Sequence, residues 1–234
     1  MFIMIDGIDG SGKSTVVSSW KHYLSDQGNK IFDLKNYLKE NDHYPTIHEL
    51  NNYDFIFSAE PTFTGVGKVI REELINQENH YSAEAITQAY SLDRLILYTK
   101  IIIPLLQAGK HIIQDRGVST SLAYQTTQNS HLTLKAISEL EGNKLALKNN
   151  PDHLILLKVT PKTAMQRLSG RLEKQDDVIF EKMDFLKKIS NQYESEDYKN
   201  IFQKLGTKIH YLSGEEKIDI MNEQAVNLLK NILK

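Results

Sequence analysis

The amino-acid sequence predicts an α/β fold built on a largely parallel β-sheet, and two features of the chain lead to this prediction. Short apolar runs alternate with segments of helical length, as in proteins whose parallel strands are connected by helices. Each apolar run is also flanked by polar or turn-forming residues, which is typical of strands buried on both faces. At 234 residues the chain is long enough for one sizeable core, and we expect a single domain over residues 1–234.

Six runs are candidates for strands because each is short, largely apolar and bounded by polar residues. In chain order they are Phe2–Ile5, Lys30–Leu34, Phe55–Ser58, His111–Gln114, Leu154–Val159 and Lys208–Leu212. Their spacing leaves room for a helix between most neighbouring strands, as parallel pairing requires.

The clearest helices are bounded by residues that favour helix ends. One runs from Lys13 to about Ser25 and is followed by Gly28, which favours a left-handed C-terminal cap. A second is capped by Ser82 and continues to about Gln107. The stretch 217–234 has the apolar periodicity of an amphipathic helix.

The segment 35–53 fits this alternation poorly. It is polar, contains Pro45 and lacks sustained periodicity. We therefore expect a surface excursion there, with room for a short helix, inserted between two core elements.

Composition excludes several functional classes. The formal net charge of −2 gives no overall attraction for nucleic acid or for an anionic membrane. The chain has no cysteine, which excludes disulfides, thiolate catalysis and cysteine-bound zinc. The apolar N-terminus ends at Asp6 without a basic region before it, and the apolar run Leu95–Leu106 is short and interrupted by Lys100. We therefore expect a cytoplasmic protein without a membrane span.

The stretch MIDGIDGSGKST, residues 4–15, contains the phosphate-binding pattern G-x-x-x-x-G-K-[ST] between a strand and a helix. Backbone N–H groups in such a loop surround the β-phosphate of a nucleotide, and the helix N-terminus favours the same anion. Lys13 is expected to reach the β- and γ-phosphates, and the Ser14 hydroxyl to bind Mg²⁺. The expected ATP-binding residues are Gly7, Ile8, Asp9, Gly10, Ser11, Gly12, Lys13, Ser14 and Thr15.

Three further stretches carry groups suited to a second anionic substrate. Arg71 lies in AEPTFTGVGKVIREEL, Tyr90 and Arg94 are four residues apart in AYSLDRL, and Asp115-Arg116 ends a strand in QDRGVSTSLAYQ. Ligands bind at the carboxyl ends of strands in open α/β sheets, and an acid there is suited to organise Mg²⁺. Structural alternatives remain open: Arg71 as a solvated charge, Arg94 paired with a carboxylate, and Tyr90 in the core.

The order of these motifs resembles the thymidylate kinases, a family of P-loop nucleoside monophosphate kinases. The resembling segments span nearly the whole chain: DGIDGSGKST, EPTFTGVGKVIREEL, AYSLDR, DRGVSTSLAYQ, PDHLILLKVTP and RLSGR followed by FE. We therefore expect a single-domain P-loop NTPase fold with a parallel five-stranded sheet flanked by helices and a mobile lid. The resemblance implies ATP-dependent phosphorylation of a pyrimidine deoxynucleotide, foremost dTMP to dTDP, in dTTP biosynthesis. It also implies Mg²⁺ as cofactor and a homodimer.

The resemblance also implies roles for individual residues. Asp9 approaches the sugar 3′-hydroxyl, Arg71 and Arg116 neutralise the acceptor phosphate, Tyr90 stacks on the base and Arg94 reads its edge. The implied substrate-binding residues are Asp9, Glu60, Arg71, Tyr90, Arg94, Arg116, Thr120, Ser121 and Tyr124, and the metal-site residues are Ser14, Asp115 and Glu60. The implied catalytic residues are Lys13, Asp9, Arg94, Arg116, Arg171 and Arg167.

The stretch QRLSGRLEKQDD resembles the family's lid, which we place over about residues 167–180. In this family the arginine that stabilises the transferring phosphoryl group is supplied either by the P-loop or by the lid. Because this P-loop contains no arginine, the resemblance implies that the lid supplies it. Arg171 is the first candidate, and Arg167 or Lys174 is the alternative. An arginine in this role contributes about 10³–10⁵ in rate.

Departures from the family pattern support alternatives. Ala59 and the sequence Glu60-Pro61-Thr62-Phe63-Thr64 replace the usual arginine and E-P-G-G-T, and Gly117 replaces an aromatic residue near the sugar 2′ position. These changes and the insertion favour, as one alternative, a related or broad-specificity nucleoside monophosphate kinase. A P-loop regulatory ATP- or GTP-binding switch is the alternative from another class.

Overall fold

The computed structural model describes residues 1–76, 78–129, 131–170 and 183–234 of the chain. Six β-strands form one sheet in these ranges: β1 Phe2–Asp6, β2 Ile31–Asp33, β3 Phe55–Ala59, β4 His111–Asp115, β5 His153–Lys158 and β6 Lys208–Ser213. Each strand lies within one residue or two of its predicted bounds, because short apolar runs between turn residues mark buried strands clearly.

The sheet is parallel throughout and has the order β2-β3-β4-β1-β5-β6. The predicted parallel α/β sheet is confirmed, with six strands where we expect five, since β6 pairs with β5 along its whole length. The central strand β1 is followed in the chain by β2 at one edge of the sheet, and its own neighbours in the sheet are β4 and β5. Ligand-binding crevices form where the strand order reverses in this way, outside the carboxyl ends of the strands.

Thirteen α-helical segments lie in the described part of the chain. They are α1 Lys13–Asp26, α2 Leu34–Asn41, α3 Ile47–Leu50, α4 Gly65–Val69, α5 Ala83–Leu97, α6 Ile103–Gln107, α7 Val118–Gln128, α8 Leu134–Ser138, α9 Glu141–Lys148, α10 Pro161–Ser169, α11 Met183–Glu194, α12 Glu196–Lys204 and α13 Ile218–Ile232. None of the helices in the described ranges is long and apolar enough to cross a membrane.

Alternating side chains of the strands build two cores, one on each face of the sheet. Phe2 and Met4 of β1 point to the larger core, which most of the helices cover, including α5 and α7. Ile3 and Ile5 point to the smaller core beneath α1 and α13, where the indole N–H of Trp20 donates to the carbonyl of Ala225 at 2.8 Å. Both faces are therefore covered, and the ends of the strands remain for binding.

The long helix predicted after Ser82 contains one irregular turn. Ser82 caps α5 by accepting a hydrogen bond from the N–H of Ala85, but residues 98–102 form a π-helical turn before α6. There the N–H of Ile103 donates to the carbonyl of Tyr98, five residues back. Pro104 explains the irregularity, because it has no N–H and its ring would collide with the carbonyl four residues earlier.

The segment 35–53, for which we expect a surface excursion, contains most of α2 and all of α3. Leu38 and Leu50 are buried in the larger core, and the Tyr44 hydroxyl donates to Thr62 Oγ1 at 3.4 Å. The segment is polar on average because only one face of each short helix packs inward. The lysines of α2, Lys35 and Lys39, line the cavity described next.

Candidate active site

A cavity of about 410 Å³ lies at the carboxyl ends of β1, β3 and β4. Most of the predicted site residues line it together, although they come from five separate parts of the chain. Those in its wall are Asp9, Gly10, Gly12, Lys13, Ser14, Glu60, Arg71, Tyr90, Arg94, Asp115, Arg116, Thr120, Ser121 and Tyr124. The parallel register explains the meeting, because Ile5 and Ala59 both pair with Asp115 across adjacent strands.

The phosphate-binding loop has the backbone that its glycines allow. Gly10 and Gly12 have φ values of 80° and 101°, a region that residues with a Cβ rarely adopt. A Cβ on Gly10 would also lie 2.6 Å from the carbonyl oxygen of Ala164 in α10. The loop is thus held closely between β1 and α10, and α1 begins at Lys13 directly after it.

Lys13 is buried, and its ammonium group folds back onto the loop. Nζ donates to the carbonyls of Gly7 and Ile8, each at 2.9 Å. Burial, with a smaller contribution from the charge of Arg116, lowers the pKa of Lys13 to about 8. Nζ also lies 3.4 Å from the Ser11 hydroxyl, to which it donates. A cation held by neutral oxygens in a buried site is suited to exchange them for phosphate oxygens.

Arg116 is fixed between two carboxylates. It forms a close ion pair with Asp9, and Nη1 lies 3.6 Å from Oδ1 of Asp6. Its φ of 67° is uncommon for a non-glycine residue, and its N–H donates to the carbonyl of Ile5 at 2.9 Å. The Tyr124 ring lies 5.3 Å from the guanidinium carbon, and its hydroxyl donates to Asp9 Oδ2 at 3.0 Å. Arg116 is therefore placed before any substrate arrives.

Asp6 organises this corner and was not among the predicted site residues. Its Oδ1 accepts from the N–H of Gly7 and from the Tyr193 hydroxyl, each at 2.8 Å. Its Oδ2 accepts from the hydroxyls of Ser119 and Thr120. The signal was present in the sequence, since Asp6 is an acid at the end of the central strand. Thr120, which is among the predicted substrate-binding residues, lines the cavity, and its hydroxyl donates to Asp6 at 2.7 Å.

Glu60 and Arg94 form a buried ion pair with 2.6 Å between Oε2 and Nη2. Gln114 donates to the other oxygen of Glu60 at 2.9 Å, and Arg94 donates through Nη1 to Asn143. Burial raises the pKa of Glu60 to about 7, although the charge of Arg94 opposes this rise. The alternative in which Arg94 pairs with a carboxylate is therefore observed, and Arg94 lines the cavity as well.

Arg71 lies in a π-helical turn, residues 70–74, and is held by the loop after β3. Its Nε donates to the carbonyls of Pro61 and Thr62 at 3.0 and 3.1 Å, and its guanidinium carbon lies 3.8 Å from the Phe63 ring centroid. Asp93 anchors the same loop by accepting from the Thr62 N–H at 2.7 Å. Burial lowers the pKa of Arg71 to about 10. Arg71 is thus not a solvated surface charge.

Several polar groups in the deeper wall lack partners among the described residues. They are Arg94 Nε, Ser121 Oγ and Gln125 Oε1, all buried and all belonging to residues that line the cavity. Buried polar atoms without a partner are rare and suggest a ligand that completes them. Gln125 was not predicted as a site residue, although it lies four residues after Ser121 on the same face of α7. Tyr90 is half-buried beside them, and burial raises its pKa to about 12.

The predicted metal residues fit a magnesium ion only in part. Asp115 Oδ1 is buried without a hydrogen-bond partner among the described residues, and Ser14 is exposed in the same wall. Both oxygens of Glu60 are already engaged by Arg94 and Gln114. The described residues contain no cluster of three or more acidic or histidine side chains arranged for a metal. Mg²⁺ bound by one carboxylate, water and phosphates does not need such a cluster.

Arg167 lies in the last turn of α10, and its Nη1 is 3.4 Å from the carbonyl oxygen of Gly10. It therefore reaches the phosphate-binding loop. Arg171 and Lys174, with most of the predicted lid, lie outside the described residues.

Comparison with known proteins agrees with this geometry. A sequence model of the thymidylate kinase family matches residues 46–224. A thymidylate kinase from Kosmotoga olearia is 26% identical over 226 residues, which cover 97% of this chain and 93% of that protein. A probable thymidylate kinase from Thermococcus onnurineus is 32% identical over 201 residues, 82% of each chain. Another from Thermococcus kodakarensis is 28% identical over 241 aligned residues, 100% of this chain and 98% of that protein.

These alignments include the phosphate-binding loop as well as the acceptor-side motifs, since the last of them covers the chain from end to end. The family match alone covers three-quarters of the sequence. The protein therefore belongs to the thymidylate kinase family.

Proposed function

We propose that the protein transfers the γ-phosphoryl group of ATP to dTMP, giving dTDP and ADP. The observation that carries this proposal is a cavity in which a phosphate-binding loop faces a second set of cationic groups and polar groups that have no partner among the residues described. A nucleotide switch needs only the loop. A kinase needs both halves, because donor and acceptor have to meet in line.

On the donor side, Lys13 and the N–H groups of the loop bind the β- and γ-phosphates of ATP. Ser14 and Asp115 are the residues that would hold Mg²⁺ there, since Asp115 has a buried oxygen at the cavity with no hydrogen-bond partner in the described ranges. Mg²⁺ held there would supply positive charge that neutralises the negative charge developing on the transferred phosphoryl group. Glu60 is better suited to hold Arg94 than to bind the metal.

On the acceptor side, Arg71 and Arg116 hold the phosphate of dTMP. An oxygen of that phosphate attacks the γ-phosphorus, a new P–O bond forms, and the bond from the γ-phosphorus to its bridging oxygen breaks. ADP leaves with that electron pair, so no covalent enzyme intermediate is needed. The arginines reduce the repulsion between two anions, which otherwise opposes the approach.

The deeper wall suits a pyrimidine base. The N3–H of thymine is a donor for Gln125 Oε1, and its carbonyl oxygens are acceptors for Arg94 Nε and Ser121 Oγ; none of these three atoms has a partner within the part of the chain that the structure describes. Tyr90 supplies a ring face beside these groups. A base that leaves these buried atoms unpaired should be rejected strongly.

ADP release tests the proposal directly. ATP and Mg²⁺ are mixed separately with dTMP, dUMP, UMP, dCMP, dGMP or AMP, beside a blank without acceptor. We expect fast turnover with dTMP, slower turnover with dUMP and little with the others, and a Lys13→Met variant slower by about 10³-fold. Equal slow hydrolysis in every mixture, the blank included, would contradict the kinase and support a switch.

A broader acceptor range is the second candidate, and Gly117 favours it. Glycine has no side chain to narrow the cavity that it lines, and a Cβ here would lie 2.5 Å from Met4 Cε and 2.9 Å from Gln114 Nε2. The crowding near the sugar 2′ position that the family's aromatic residue implies is therefore missing at this position. Comparable rates with dTMP and UMP in the same assay would support this candidate.

We also propose a cytoplasmic homodimer of single-domain chains, with residues 167–180 acting as a lid. The family resemblance supports the dimer, and so do the exposed side chains of Leu92 and Val69 on the adjacent helices α5 and α4, which are 48% and 49% exposed. Light scattering on the purified protein tests it. A monomeric mass at assay concentration would contradict the dimer.

A further inference from the structure

Three cations surround one aromatic ring at the edge of the cavity. The guanidinium carbon of Arg71 lies 3.8 Å from the centroid of the Phe63 ring, Lys39 Nζ lies 4.7 Å from it, and Lys35 Nζ lies 5.6 Å from it. All four residues line the cavity. Phe63 belongs to the loop after β3, and both lysines belong to α2. The ring therefore joins α2 to the loop that holds Arg71.

The helix α2 presents its two lysines to the cavity for a clear local reason. Asp33 caps the helix by accepting from the N–H of Asn36 at 3.1 Å. Leu34 and Leu38 are buried in the larger core, which fixes the rotation of the helix. Lys35 and Lys39 are four residues apart and so share the neighbouring face.

These cations have no carboxylate partner within ion-pair distance in the described part of the chain, which distinguishes them from their neighbours. Lys21 pairs with Asp33 at 2.6 Å, whereas no such pair involves Lys35, Lys39 or Arg71. The nearby Asp42 carboxylate instead accepts from the Thr64 hydroxyl at 3.0 Å.

Lys35 is also close to the part of the cavity where Ser14 and Asp115 lie. It borders a smaller cleft that adjoins the cavity and that Ser14 and Asp115 also line. Burial lowers the pKa of Lys35, and the charges of Lys39, Arg71 and Lys21 lower it further, while Asp115 raises it. Three like charges gathered on one wall are unfavourable unless an anion joins them.

We propose that Lys35 and Lys39 bind the phosphate group of the acceptor nucleotide, beside Arg71. This inference rests on the proposed function, and it assigns α2 a part in substrate binding. Lys35 contacts the phosphate oxygens on the side of Asp115, and Lys39 at the exposed rim attracts the phosphate as it enters. The phosphates of ATP are bound by the loop and by Lys13 on another wall, so the lysines act on the acceptor.

The test measures the dissociation constant of dTMP by calorimetry for the wild type, for a Lys35→Met/Lys39→Met variant and for Lys148→Met. Methionine keeps the apolar stem beside Phe63 and removes the charge. Lys148 is an exposed lysine on α9 that does not line the cavity, so its variant is the matched control. At about 50 mM salt we expect the double variant to bind dTMP about tenfold more weakly, and the control to bind as the wild type does.

Salt separates a charge effect from a packing effect. At about 250 mM salt, the difference between wild type and double variant should shrink to about threefold, because ions screen an exposed lysine from the phosphate. Equal dTMP binding by wild type and double variant at low salt would overturn the inference, and so would a loss that salt does not change. A wild type that neither binds nor phosphorylates dTMP would instead contradict the proposed function itself.

Discussion

The cavity contains two kinds of cationic wall. Arg94 and Arg116 are paired with carboxylates, Arg94 with Glu60 and Arg116 with Asp9 and Asp6. Arg71 is held by carbonyl oxygens and by the Phe63 ring instead. A carboxylate partner fixes an arginine in place and also cancels part of its positive potential. An arginine held by neutral carbonyls keeps its net charge for a ligand. The first wall therefore holds its arginines in fixed positions at the substrate, and the second offers the substrate the larger net charge.

The difference follows from depth. Arg94 is 1% exposed, and an unpaired charge at that depth would be strongly disfavoured. Arg71 lies nearer the opening, where two loop carbonyls and an aromatic face suffice to hold it. Substitution of Arg94 should thus have its largest consequence for stability, and substitution of Arg71 its largest consequence for substrate binding.

The largest effect is expected for Arg94→Met. This change leaves Glu60 buried beside no cation, and breaking a buried ion pair costs about 3–5 kcal/mol of the free energy of unfolding. Urea unfolding at neutral pH measures it. The exposed pair of Lys144 and Glu139 gives the control, since Lys144→Met should change stability little. If Arg94→Met lost no more stability than the control, the pairing of Arg94 with Glu60 would not stabilise the first wall as we expect.

Arg71→Met is expected to affect binding more than folding. We expect KM for dTMP to rise about 100-fold, because the acceptor phosphate loses a charge-assisted partner. The free energy of unfolding should fall by only about 1 kcal/mol, since the lost partners are two neutral carbonyls and the Phe63 ring. Steady-state kinetics and urea unfolding of the same preparation measure both. If Arg71→Met destabilised the fold as much as Arg94→Met, the two walls would not differ.

The raised pKa of Glu60 predicts that the free energy of unfolding of the protein depends on pH. Its value rises from 4.5 to about 7 on folding, so the folded protein holds more protons between these pH values. The corresponding stability is fully present below about pH 4.5 and is lost as pH rises through about 7. We expect Glu60→Gln to lose less stability than the wild type between pH 5 and 8. Identical slopes for the two proteins in urea unfolding would contradict this expectation.

Phe63→Leu should give the smallest effect. Leucine keeps apolar contact but removes the ring face that Arg71 and the two lysines of α2 share. A cation–π contact near the surface is worth about 0.5–1 kcal/mol, so the dissociation constant of dTMP should rise about threefold. Calorimetry detects a change of this size. An unchanged affinity would mean that the ring does not help to place the cations.

The elements of the fold were largely predictable, because their signals are local. The apolar runs of the strands, Ser82 as a helix cap and the glycine pattern before Lys13 each act within a few residues of the chain. The π-helical turn at 98–102 was missed, since a proline about six turns into a helix predicts some disruption without specifying its form.

The candidate site was predictable where a motif carried it and not elsewhere. Lys13, Arg71, Arg94 and Arg116 were expected in one site, and they line one cavity. Asp6 and Gln125 were missed because their roles depend on tertiary contacts. Asp6 accepts a hydrogen bond from the distant Tyr193, and Gln125 Oε1 is buried without a partner among the described residues. The lysines of α2 were missed because the segment 35–53 shows no pattern that places it at a site.

By itself the sequence determined the parallel α/β architecture, the phosphate-binding loop and the family, because these depend on periodicity and on short motifs. Only the tertiary structure decided which cations are neutralised and which keep their charge. That distinction depends on distances between residues far apart in the chain, such as the 2.6 Å between Glu60 and Arg94. Electrostatic interactions inside a protein vary with the separation and the burial of the charges, and neither quantity can be obtained from the order of residues in the chain.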